Sequence, residues 1–495
     1  MPARAKRAST SAGRVKISAV DTAWLRMDRP QNLMMITGVL LFGEKVELAR
    51  LRKVIDERFA VFKRFRQRPV EMPGMAFWEN DPAFDIARHV VRETLPAPRG
   101  RAQLQALVSR LGTTPLDPSH PMWQFHVIDR YDGGSALIAR IHHSYADGIA
   151  LVRVMLSMTD ASPNGPPAMP FAPRAREREP GGDDMLAQLL APLSSVLGTA
   201  RKLGATLVDK GTDLWSDPAQ AVALATQGGA FTAEIAKLAL MPQDSPTRFK
   251  GKPGVRKQVS WTDPLPLAEV KTIGKALHAS VNDVLLSCVA GALRGYLADK
   301  GDDVDDVMMR ALVPVNLRPL EKAYKLGNQF GLVFLDLPIG IENPIERLYA
   351  VRANMNALKG SFQPVLALGL LAAMGSGPKA LQDVLLGALA RNASGVMTNV
   401  PGPQQTLWLA GAPIDTLMFW VPQSGDIGMG VSIISYAGQV QFGVVTDRGL
   451  CPDPESIVAR FGDEFEKLLL TTLLSPWPAD GELDPALAER AVGLA

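Results

Sequence analysis

Cysteine is almost absent from this chain of 495 residues, which contains only Cys288 and Cys451. The two residues lie far apart in sequence, and proteins built on disulfide frameworks carry more cysteines at regular spacings. The composition therefore argues against a disulfide scaffold. It favours a reducing, cytoplasmic environment.

The chain also lacks an excess of charge and any long hydrophobic run. Its net charge of +3 at pH 7 is close to neutral for this length and gives no indication of a nucleic-acid partner. The nearest candidate for a membrane span, residues 365–374, is too short and is flanked by Pro364 and Gly375. The basic start of the chain, residues 1–10, lacks the apolar core of a signal peptide.

The chain does have the composition of a globular enzyme, with 47% apolar and 21% charged residues. Its length predicts two domains. Local composition predicts a disordered basic tail at 1–16, an α/β domain at 17–160, a connector at 161–250, a second α/β domain at 251–480 and a tail at 481–495.

The connector has two parts of different composition. Residues 161–182 are rich in proline and glycine and predict a linker, whereas residues 184–241 have helical apolar spacing. An apolar stripe of this kind packs in a core or between domains, or it lies on a lipid surface, and both interpretations stay open. The stripe consists of Leu186, Leu189, Leu190, Leu193, Val196 and Leu197.

Two of the 6 histidines are adjacent, and an acid and a glycine follow them in the segment 142–148, which is His-His-Ser-Tyr-Ala-Asp-Gly. Residues 135–141 predict a strand, and residues 148–156 have the spacing of a helix. The histidines therefore lie at a strand-to-loop junction, a position where a rigid scaffold often presents catalytic groups. A metal site and a purely structural histidine pair stay open as alternatives, although no further histidine or cysteine cluster completes a ligand set.

The pattern HHxxxDG in residues 142–148 is typical of the CoA-dependent acyltransferase superfamily. Beyond it, the chain resembles the bacterial wax ester synthase/acyl-CoA:diacylglycerol acyltransferase family nearly end to end. Nine blocks in the family's order carry this resemblance, and together they are far more specific than any one of them. They lie at residues 18–25, 84–90, 115–123, 142–148, 280–286, 313–318, 327–329, 398–403 and 435–443.

The resemblance implies an α/β fold (an α+β sandwich) of two chloramphenicol-acetyltransferase-like domains. Each domain would be a mixed sheet covered by helices, with the active site in a tunnel between them. The implied activity is transfer of a long-chain acyl group from acyl-CoA to diacylglycerol or a fatty alcohol, giving triacylglycerol or wax ester plus CoA. No cofactor is implied, because acyl-CoA is a co-substrate.

The resemblance also assigns roles within the motif. His143 is the expected general base, since an alcohol attacks a thioester slowly unless a group such as neutral imidazole removes its proton. His142 is expected to pack against or orient the loop, and Asp147 to hold it through a buried charge pair. Gly148 is expected to let the backbone turn without a Cβ.

Four further residues are candidates in the second half of the chain. Asn282 and Asp283 are expected either to cap the following helix or to face the active site, or both. Asn399 is a candidate polar residue of the site lining. Arg318 either pairs with a buried acid such as Asp147 or is exposed.

Trp123 and Met35 are not among these candidate site residues. Trp123 is interpreted as a core anchor rather than a platform for a ligand. At Met35 many family members carry a histidine, within a Pro-Met-His-x-Gly string. This difference puts any histidine-dependent role there in doubt, but it does not touch the HHxxxDG segment.

Two other functions remain open. One is carrier-protein-dependent acyl transfer or condensation within the same superfamily, and the other is lipid binding on an acyltransferase scaffold that has lost activity. No G-x-S-x-G segment occurs, which weakens a lipase interpretation. The expected partners are acyl-CoA and a lipid alcohol, with peripheral contact to the inner membrane or lipid inclusions as a further expectation.

Overall fold

A computed structural model describes residues 14–72, 75–168, 241–317, 326–359, 361, 363–376, 379–475, 483–486 and 488. The first half alternates strands and helices up to the end of α5, in keeping with its predicted pattern. Its elements are β1 Val15–Lys16, α1 Ala19–Arg26, β2 Met35–Phe42, α2 Leu48–Arg58, a 3-10 turn Lys63–Arg66, β3 Gln67–Met72, β4 Met75–Asn80, α3 Ile86–His89, β5 Val90–Glu93, α4 Arg101–Gly112, β6 Trp123–Tyr131, β7 Gly134–His142 and α5 Gly148–Met158.

The second half contains a larger sheet and longer helices. Its elements are β8 Lys257–Trp261, β9 Leu265–Pro266, α6 Leu267–Ala276, α7 Val281–Asp299, β10 Met308–Asn316, β11 Phe330–Pro338, α8 Pro344–Leu358, α9 Gln363–Ser376, α10 Lys379–Arg391, β12 Gly395–Pro401, β13 Trp408–Leu409, β14 Ala412–Pro413, β15 Thr416–Trp420, β16 Met429–Tyr436, β17 Gln439–Asp447 and α11 Pro454–Leu474.

A five-stranded mixed sheet forms the centre of the first half, in the order β15-β2-β7-β6-β5. Every residue of β7 is buried, as expected for a central strand that is covered on both faces. The β6–β7 hairpin turns at Asp132 and Gly133, whose φ values of 47° and 83° suit a two-residue turn with both residues left-handed. This hairpin fixes where β7 ends, and therefore where His142 and His143 lie.

The second half is built on a mixed sheet in the order β11-β10-β12-β16-β17-β8. Strands β10, β12 and β16 run parallel, and the other neighbours along this path are antiparallel. Helices α7 and α11 bury their apolar faces against it, and the core includes Val289, Leu293, Phe442 and Phe461. The predicted two-domain fold of mixed sheets covered by helices is confirmed.

The two halves are joined by an exchanged strand. β15 belongs to the second half in sequence, yet it pairs antiparallel with β2 of the first sheet over five residues, from Thr416 with Leu41 to Trp420 with Thr37. Nearby, Asp160 and Trp408 exchange two main-chain hydrogen bonds of 2.7 and 2.9 Å. Because of this strand exchange, the predicted domain at 17–160 does not contain every strand of the first sheet, and β15 comes from within the predicted domain at 251–480.

The structure describes a part of each predicted tail. Val15 and Lys16 pair with Trp78 and Phe77 of β4, so the described chain is ordered before residue 17. In the predicted tail at 481–495, Leu483 and Ala488 are buried, because this segment packs against the second-half core. The rest of both tails and connector residues 169–240, including the predicted apolar stripe, fall outside the described residues.

No single helix among the described residues is both long and apolar enough to cross a membrane. The pair α6 and α7 reaches the required length together, but it is bent by 99°.

Helix α1 packs closely against α9, which brings the start of the chain against the second half. A Cβ on Gly375 would collide with the Ala19 carbonyl oxygen, so glycine at this position allows the two helix backbones to touch. Gln382 of α10 adds a hydrogen bond of 2.9 Å from its Nε2 to the Ala23 carbonyl. These contacts fix α1 relative to the second half.

Replacement of Gly375 by alanine should separate α1 from α9. Because overpacking typically costs about 1–3 kcal/mol, Gly375→Ala should lower both Tm and the free energy of unfolding, measured by thermal and urea denaturation. Gly369→Ala in the same helix is the matched control, because no described atom lies within 4 Å of its Cβ position. Alanine is favoured over glycine in a helix interior by about 0.5–1 kcal/mol. Equal losses in the two variants would contradict the close approach.

Candidate active site

His143 follows directly after β7, and a main-chain hydrogen bond fixes its position. Its N–H donates to the carbonyl of Met34, the residue before β2, at 2.7 Å. Because β2 and β7 are neighbours in the sheet, this bond continues their pairing by one residue into the loop. The rigid sheet therefore sets the main chain of His143.

The imidazole of His143 lies between aromatic rings from both halves. The indole of Trp24 stacks on it with ring centroids 4.1 Å apart and an interplanar angle of 17°. Phe330, at the start of β11, contacts it at 5.6 Å with a tilt of 48°. The surrounding apolar cluster draws on both halves and includes Met27, Met34, Leu371, Met374 and Leu386.

This environment sets the charge of the base. Burial lowers the pKa of His143 to about 3, and the neighbouring His142 acts in the same direction. The main chain of His143 itself and the Asn328 side chain oppose this shift only in part. The imidazole is therefore neutral at pH 7, and its lone pair is free to accept a proton.

A three-residue segment of the second half, Gly327 to Gln329, holds the motif loop in place. Ala146 and Gly327 form a parallel β-bridge. The Asn328 Nδ2 donates to the His143 carbonyl at 2.9 Å. The loop that carries His143 is thus hydrogen-bonded to both halves of the protein.

Asp147 uses both carboxylate oxygens to fix main chain. Its Oδ1 accepts from Ala150 N at 2.9 Å and caps the N-terminus of α5, and its Oδ2 accepts from Gln329 N at 3.0 Å. These bonds support the expected structural role. The suggested charge pair with Arg318 stays a prediction, because Arg318 lies outside the described residues.

The structure shows no conformational requirement for glycine at position 148, where the chain passes from the loop into α5. Gly148 is the first residue of α5, its φ lies outside the left-handed region, and a Cβ there would meet no described atom within 4 Å. The conformation that favours glycine occurs instead at Gly327, where φ is +110°. The backbone conformation therefore favours glycine at position 327, which pairs with the motif loop, rather than at position 148.

His142 is turned away from His143 and engages its own loop. Its Nδ1 accepts from the Ser144 N–H at 3.2 Å and lies 2.8 Å from the Ser144 hydroxyl. Since Nδ1 accepts from the main chain, the ring proton is on Nε2, which lies 3.5 Å from the Asp28 carboxylate. This geometry suits the expected packing role. Within the described ranges, no group of three or more histidine, cysteine or acidic side chains could hold a metal ion.

Three residues that contact or support His143 were not assigned a role from the sequence. They are Asp21 and Trp24 on α1 and Asn328 before β11. Asp21 is only 3% exposed, and its Oδ1 accepts from Asn328 N at 3.0 Å and Asn328 Nδ2 at 2.8 Å. The Arg64 guanidinium lies 3.9 Å from its Oδ2.

Burial raises the pKa of Asp21, while its hydrogen bonds to Asn328 and Ser18 and the charge of Arg64 act against that rise. A signal for these residues was present in the sequence. Asp21 and Trp24 are three residues apart within the block 18–25, a spacing that places them on one face of a helix. That face of α1 contacts His143 through Trp24 and Asn328 through Asp21.

The candidates in the second half form a separate pair. Asn399 Nδ2 donates to Asn282 Oδ1 at 2.8 Å, which joins β12 to the first turn of α7. The expected cap is corrected: Ser280 is the N-cap, and Asp283 completes the capping box by accepting from Ser280 N at 2.7 Å. Asn282 and Asp283 are therefore already inside the helix.

Trp123 and Met35 occupy the core. Trp123 is fully buried and donates its Nε1–H to the Phe65 carbonyl at 2.8 Å, as expected for a core anchor. Met35 is buried in β2 directly opposite His142 of β7. A methionine there packs without supplying a proton-transfer group near the motif.

A small pocket lies in the cleft between the halves, close to the segment that binds His143. Its volume is about 50 Å³, enough for a few water molecules. Entry of an acyl chain from this side would require side chains to move. The lining includes Asn32, Leu33, Thr37, Lys257, Trp420 and Gln423.

Comparison with known families agrees with this architecture. The family model described as "Wax ester synthase/diacylglycerol acyltransferase catalytic domain" matches residues 17–285, and the model "WS/DGAT C-terminal domain" matches residues 326–469. The chain belongs to this family. It is an acyltransferase, and the family resemblance seen in the nine sequence blocks is confirmed.

Individual members of the wax ester synthase/diacylglycerol acyltransferase family are similar over most of their length. A putative diacylglycerol O-acyltransferase of Mycobacterium tuberculosis is 28% identical over 451 residues, which cover 87% of this chain and 91% of the relative. The probable diacylglycerol O-acyltransferase tgs2 of the same species is 28% identical over 477 residues, covering 90% and 97%.

Solved structures show the same fold at lower identity. The wax ester synthase/diacylglycerol acyltransferase from Marinobacter aquaeolei VT8 is 20% identical with a TM-score of 0.65, covering 93% of this chain and 100% of that one. A mutant starter condensation domain of rhizomide synthetase, in complex with C8-CoA, is 15% identical with a TM-score of 0.55, covering 96% and 97%.

The pH dependence of turnover should reflect the burial of His143. With the pKa of His143 at about 3, kcat/KM should show no inflection from this group between about pH 5 and 8, whereas a histidine with its ordinary pKa of about 6.5 would produce one. Stability should change in that range. The unfolded chain binds a proton below its ordinary pKa and the folded chain does not, so the free energy of unfolding decreases as pH falls from about 6.5 towards 3.

Rates should therefore be measured only where circular dichroism shows a folded enzyme. A kcat/KM inflection near pH 6.5 that is carried by His143 would contradict a strongly lowered pKa at this residue.

Proposed function

We propose that this enzyme transfers a long-chain acyl group from acyl-CoA to the hydroxyl of diacylglycerol or a fatty alcohol, with His143 as general base. The observation that carries this proposal is the His143 imidazole, which is buried, neutral and packed between Trp24 and Phe330, on a main chain that is hydrogen-bonded to both halves of the protein. A neutral imidazole in an apolar site is suited to proton transfer from an alcohol.

The reaction is a direct transfer between two bound substrates. The imidazole Nε2 removes the alcohol proton as the alcohol oxygen attacks the thioester carbon. The tetrahedral intermediate then collapses, the C–S bond breaks, and the imidazolium returns the proton to the departing thiolate. The products are an ester and free CoA, and His143 recovers its neutral form.

Apolar surroundings support lipid substrates on both sides of this step. The cluster around the imidazole is made of methionine, leucine and aromatic side chains from both halves. Such side chains adapt to acyl chains and exclude water from the thioester, which limits hydrolysis. The relatives named diacylglycerol O-acyltransferase support a glyceride acceptor, and the family name also includes wax ester synthesis.

Carrier-protein-dependent condensation is the competing activity on this fold. The similarity to condensation domains, at 14–15% identity for those of rhizomide synthetase and the calcium-dependent antibiotic synthetase, concerns the fold alone. Both matched family models are those of wax ester synthases and diacylglycerol acyltransferases. An acyl-CoA donor is therefore the better supported choice.

Release of CoA from palmitoyl-CoA tests the proposal. The purified enzyme should release thiol when either hexadecanol or dioleoylglycerol is added, and the ratio of the two rates identifies the preferred acceptor. His143→Ala should lower kcat by about 10²–10⁴-fold, the usual contribution of a general base. Its circular dichroism spectrum should match that of the parent enzyme.

The control for donor choice is the same acyl chain carried on pantetheine in place of CoA. Thiol release without acceptor would indicate a hydrolase. A His143→Ala variant with the kcat of the parent enzyme would remove the general-base assignment, and inactivity with both alcohols would direct the search to another acceptor.

Contact with a lipid surface would supply the acceptor, and this is part of the proposal. Leu470, Leu473 and Leu474 on the last turn of α11 are 50–61% exposed. Adjacent exposed leucines of this kind favour shallow insertion into a bilayer. The parent enzyme should float with phospholipid vesicles that contain diacylglycerol, and a variant with serine at the three positions should float less. Val61→Ser, at a residue that is 54% exposed elsewhere, is the matched control.

A further inference from the structure

Several buried polar atoms at the proposed base have no hydrogen-bond partner among the described residues. Trp24 Nε1 and His142 Nε2 are two of them, and the two that concern the imidazole and its support are His143 Nδ1 and Asn328 Oδ1. Buried polar atoms are normally paired, so an unpaired atom next to a reacting group calls for an explanation. One of these atoms carries a proton in one tautomer of the imidazole, and the other is an acceptor.

The two nitrogens of Asn328 are engaged in hydrogen bonds. Its main-chain N–H and its Nδ2 both donate to Asp21 Oδ1, at 3.0 and 2.8 Å. Its Nδ2 also donates to the His143 carbonyl at 2.9 Å. An inverted carboxamide would direct its oxygen at two acceptor oxygens, so these partners determine which end of the side chain is Oδ1.

We propose that Asn328 and Asp21 are positioning residues for His143. Asp21 holds the Asn328 carboxamide, whose Nδ2 fixes the His143 carbonyl and whose Oδ1 accepts the Nδ1 proton of the imidazole during turnover. This inference rests on the proposed role of His143 as general base. It assigns Nδ1–H as the working tautomer and leaves the lone pair of Nε2 for the alcohol.

Only Nε2 of the His143 imidazole exchanges a proton with the substrates in this arrangement. Nδ1 keeps its proton through the whole cycle, while Nε2 gains the alcohol proton and passes it to the thiolate. Asn328 and Asp21 do not exchange protons with the substrates. Their contribution is to hold the ring and to place an amide oxygen next to the positive charge that develops on it, in an apolar, buried site.

The His143 carbonyl is the competing acceptor for the Nδ1 proton. That oxygen already accepts from Asn328 Nδ2, whereas Asn328 Oδ1 has no other partner in the described part of the chain. Hydrogen bonds of catalytic groups are often long before substrate binds and shorten in the reactive complex. The Asn328 side chain already raises the pKa of His143, and movement of the ring towards it would pair both atoms.

The first test is spectroscopic and uses the unmodified enzyme. In protein labelled with ¹⁵N in the histidine rings, the two nitrogens of His143 report which one carries the proton. The signals are assigned by their loss in His143→Gln. The expected result is a neutral ring with the proton on Nδ1, and a proton on Nε2 would overturn the proposal whether or not any Asn328 variant folds.

The second test is kinetic. Removal of a group that orients a metal-ligating histidine typically costs about 10–100-fold in affinity or activity. By analogy, Asn328→Ala should lower kcat by about that factor, with KM for acyl-CoA changed by less than about threefold. Asp21→Asn should act in the same direction. Because both residues act along one path, the double variant should be no slower than the slower single variant.

Asp160→Asn is the matched control for Asp21→Asn. Asp160 is also a buried carboxylate beside an arginine, with its Oδ1 2.6 Å from Arg58 Nη1, but its described contacts lie away from the motif loop. This substitution should lower Tm without changing kcat or the His143 nitrogen signals. Equal losses of kcat in Asp21→Asn and Asp160→Asn would mean that any buried charge has this effect, which would overturn the positioning role.

The outcomes separate this inference from the proposed function. If the parent enzyme transfers acyl groups, His143→Ala does not, and Asn328→Ala keeps its kcat within about twofold, only the positioning role fails. If His143→Ala retains full activity, the general-base assignment fails. If the losses of kcat in Asn328→Ala and Asp21→Asn are additive in the double variant, the two residues act independently. That result would overturn the inference that Asp21 acts through Asn328.

Discussion

The structure depends on the hydrogen bonds that a short second-half segment, Gly327 to Gln329, makes to the loop after β7. Through them Asp147 is bound to Gln329, and the carbonyl of His143 to Asn328. Neither half contains a complete site, because the base comes from one half and its supports from the other. The helix α1 strengthens this link, since it carries Asp21 and Trp24 while packing on α9.

A second constraint is the burial of the base among apolar side chains. Burial keeps the His143 imidazole neutral, which favours proton acceptance, but it also makes the imidazolium of the reaction costly. That cost is offset only by groups that are already aligned when the charge appears. The stacked face of Trp24 attracts a cation, and the Asn328 amide presents an oxygen. The apolar surroundings that suit lipid substrates therefore require polar groups that are already oriented towards the His143 imidazole.

Much of the fold was predictable because local patterns determine it. A short apolar run after a turn predicted β7, and helical spacing predicted α5, so the position of His143 at a strand end followed from the sequence. Contacts that join distant segments were not predictable in this way. The pairing of Asp21 with Asn328 spans 307 positions, and no local pattern connects a helix face with a tripeptide so far away. The cap at Ser280 is different, because Ser280 and Asp283 form a local capping box three residues apart, and this pattern was overlooked beside the more prominent Asn282 and Asp283.

The exchange of β15 has a consequence for how substrates come and go. Five residue pairs with β2 tie the second half into the first sheet. Opening the halves like a hinge would break this strand pairing and leave buried amide and carbonyl groups unsatisfied. Exchange of lipid substrates and products would then depend on movement of side chains along the interface, such as the methionines of the apolar cluster, rather than on separation of the two halves.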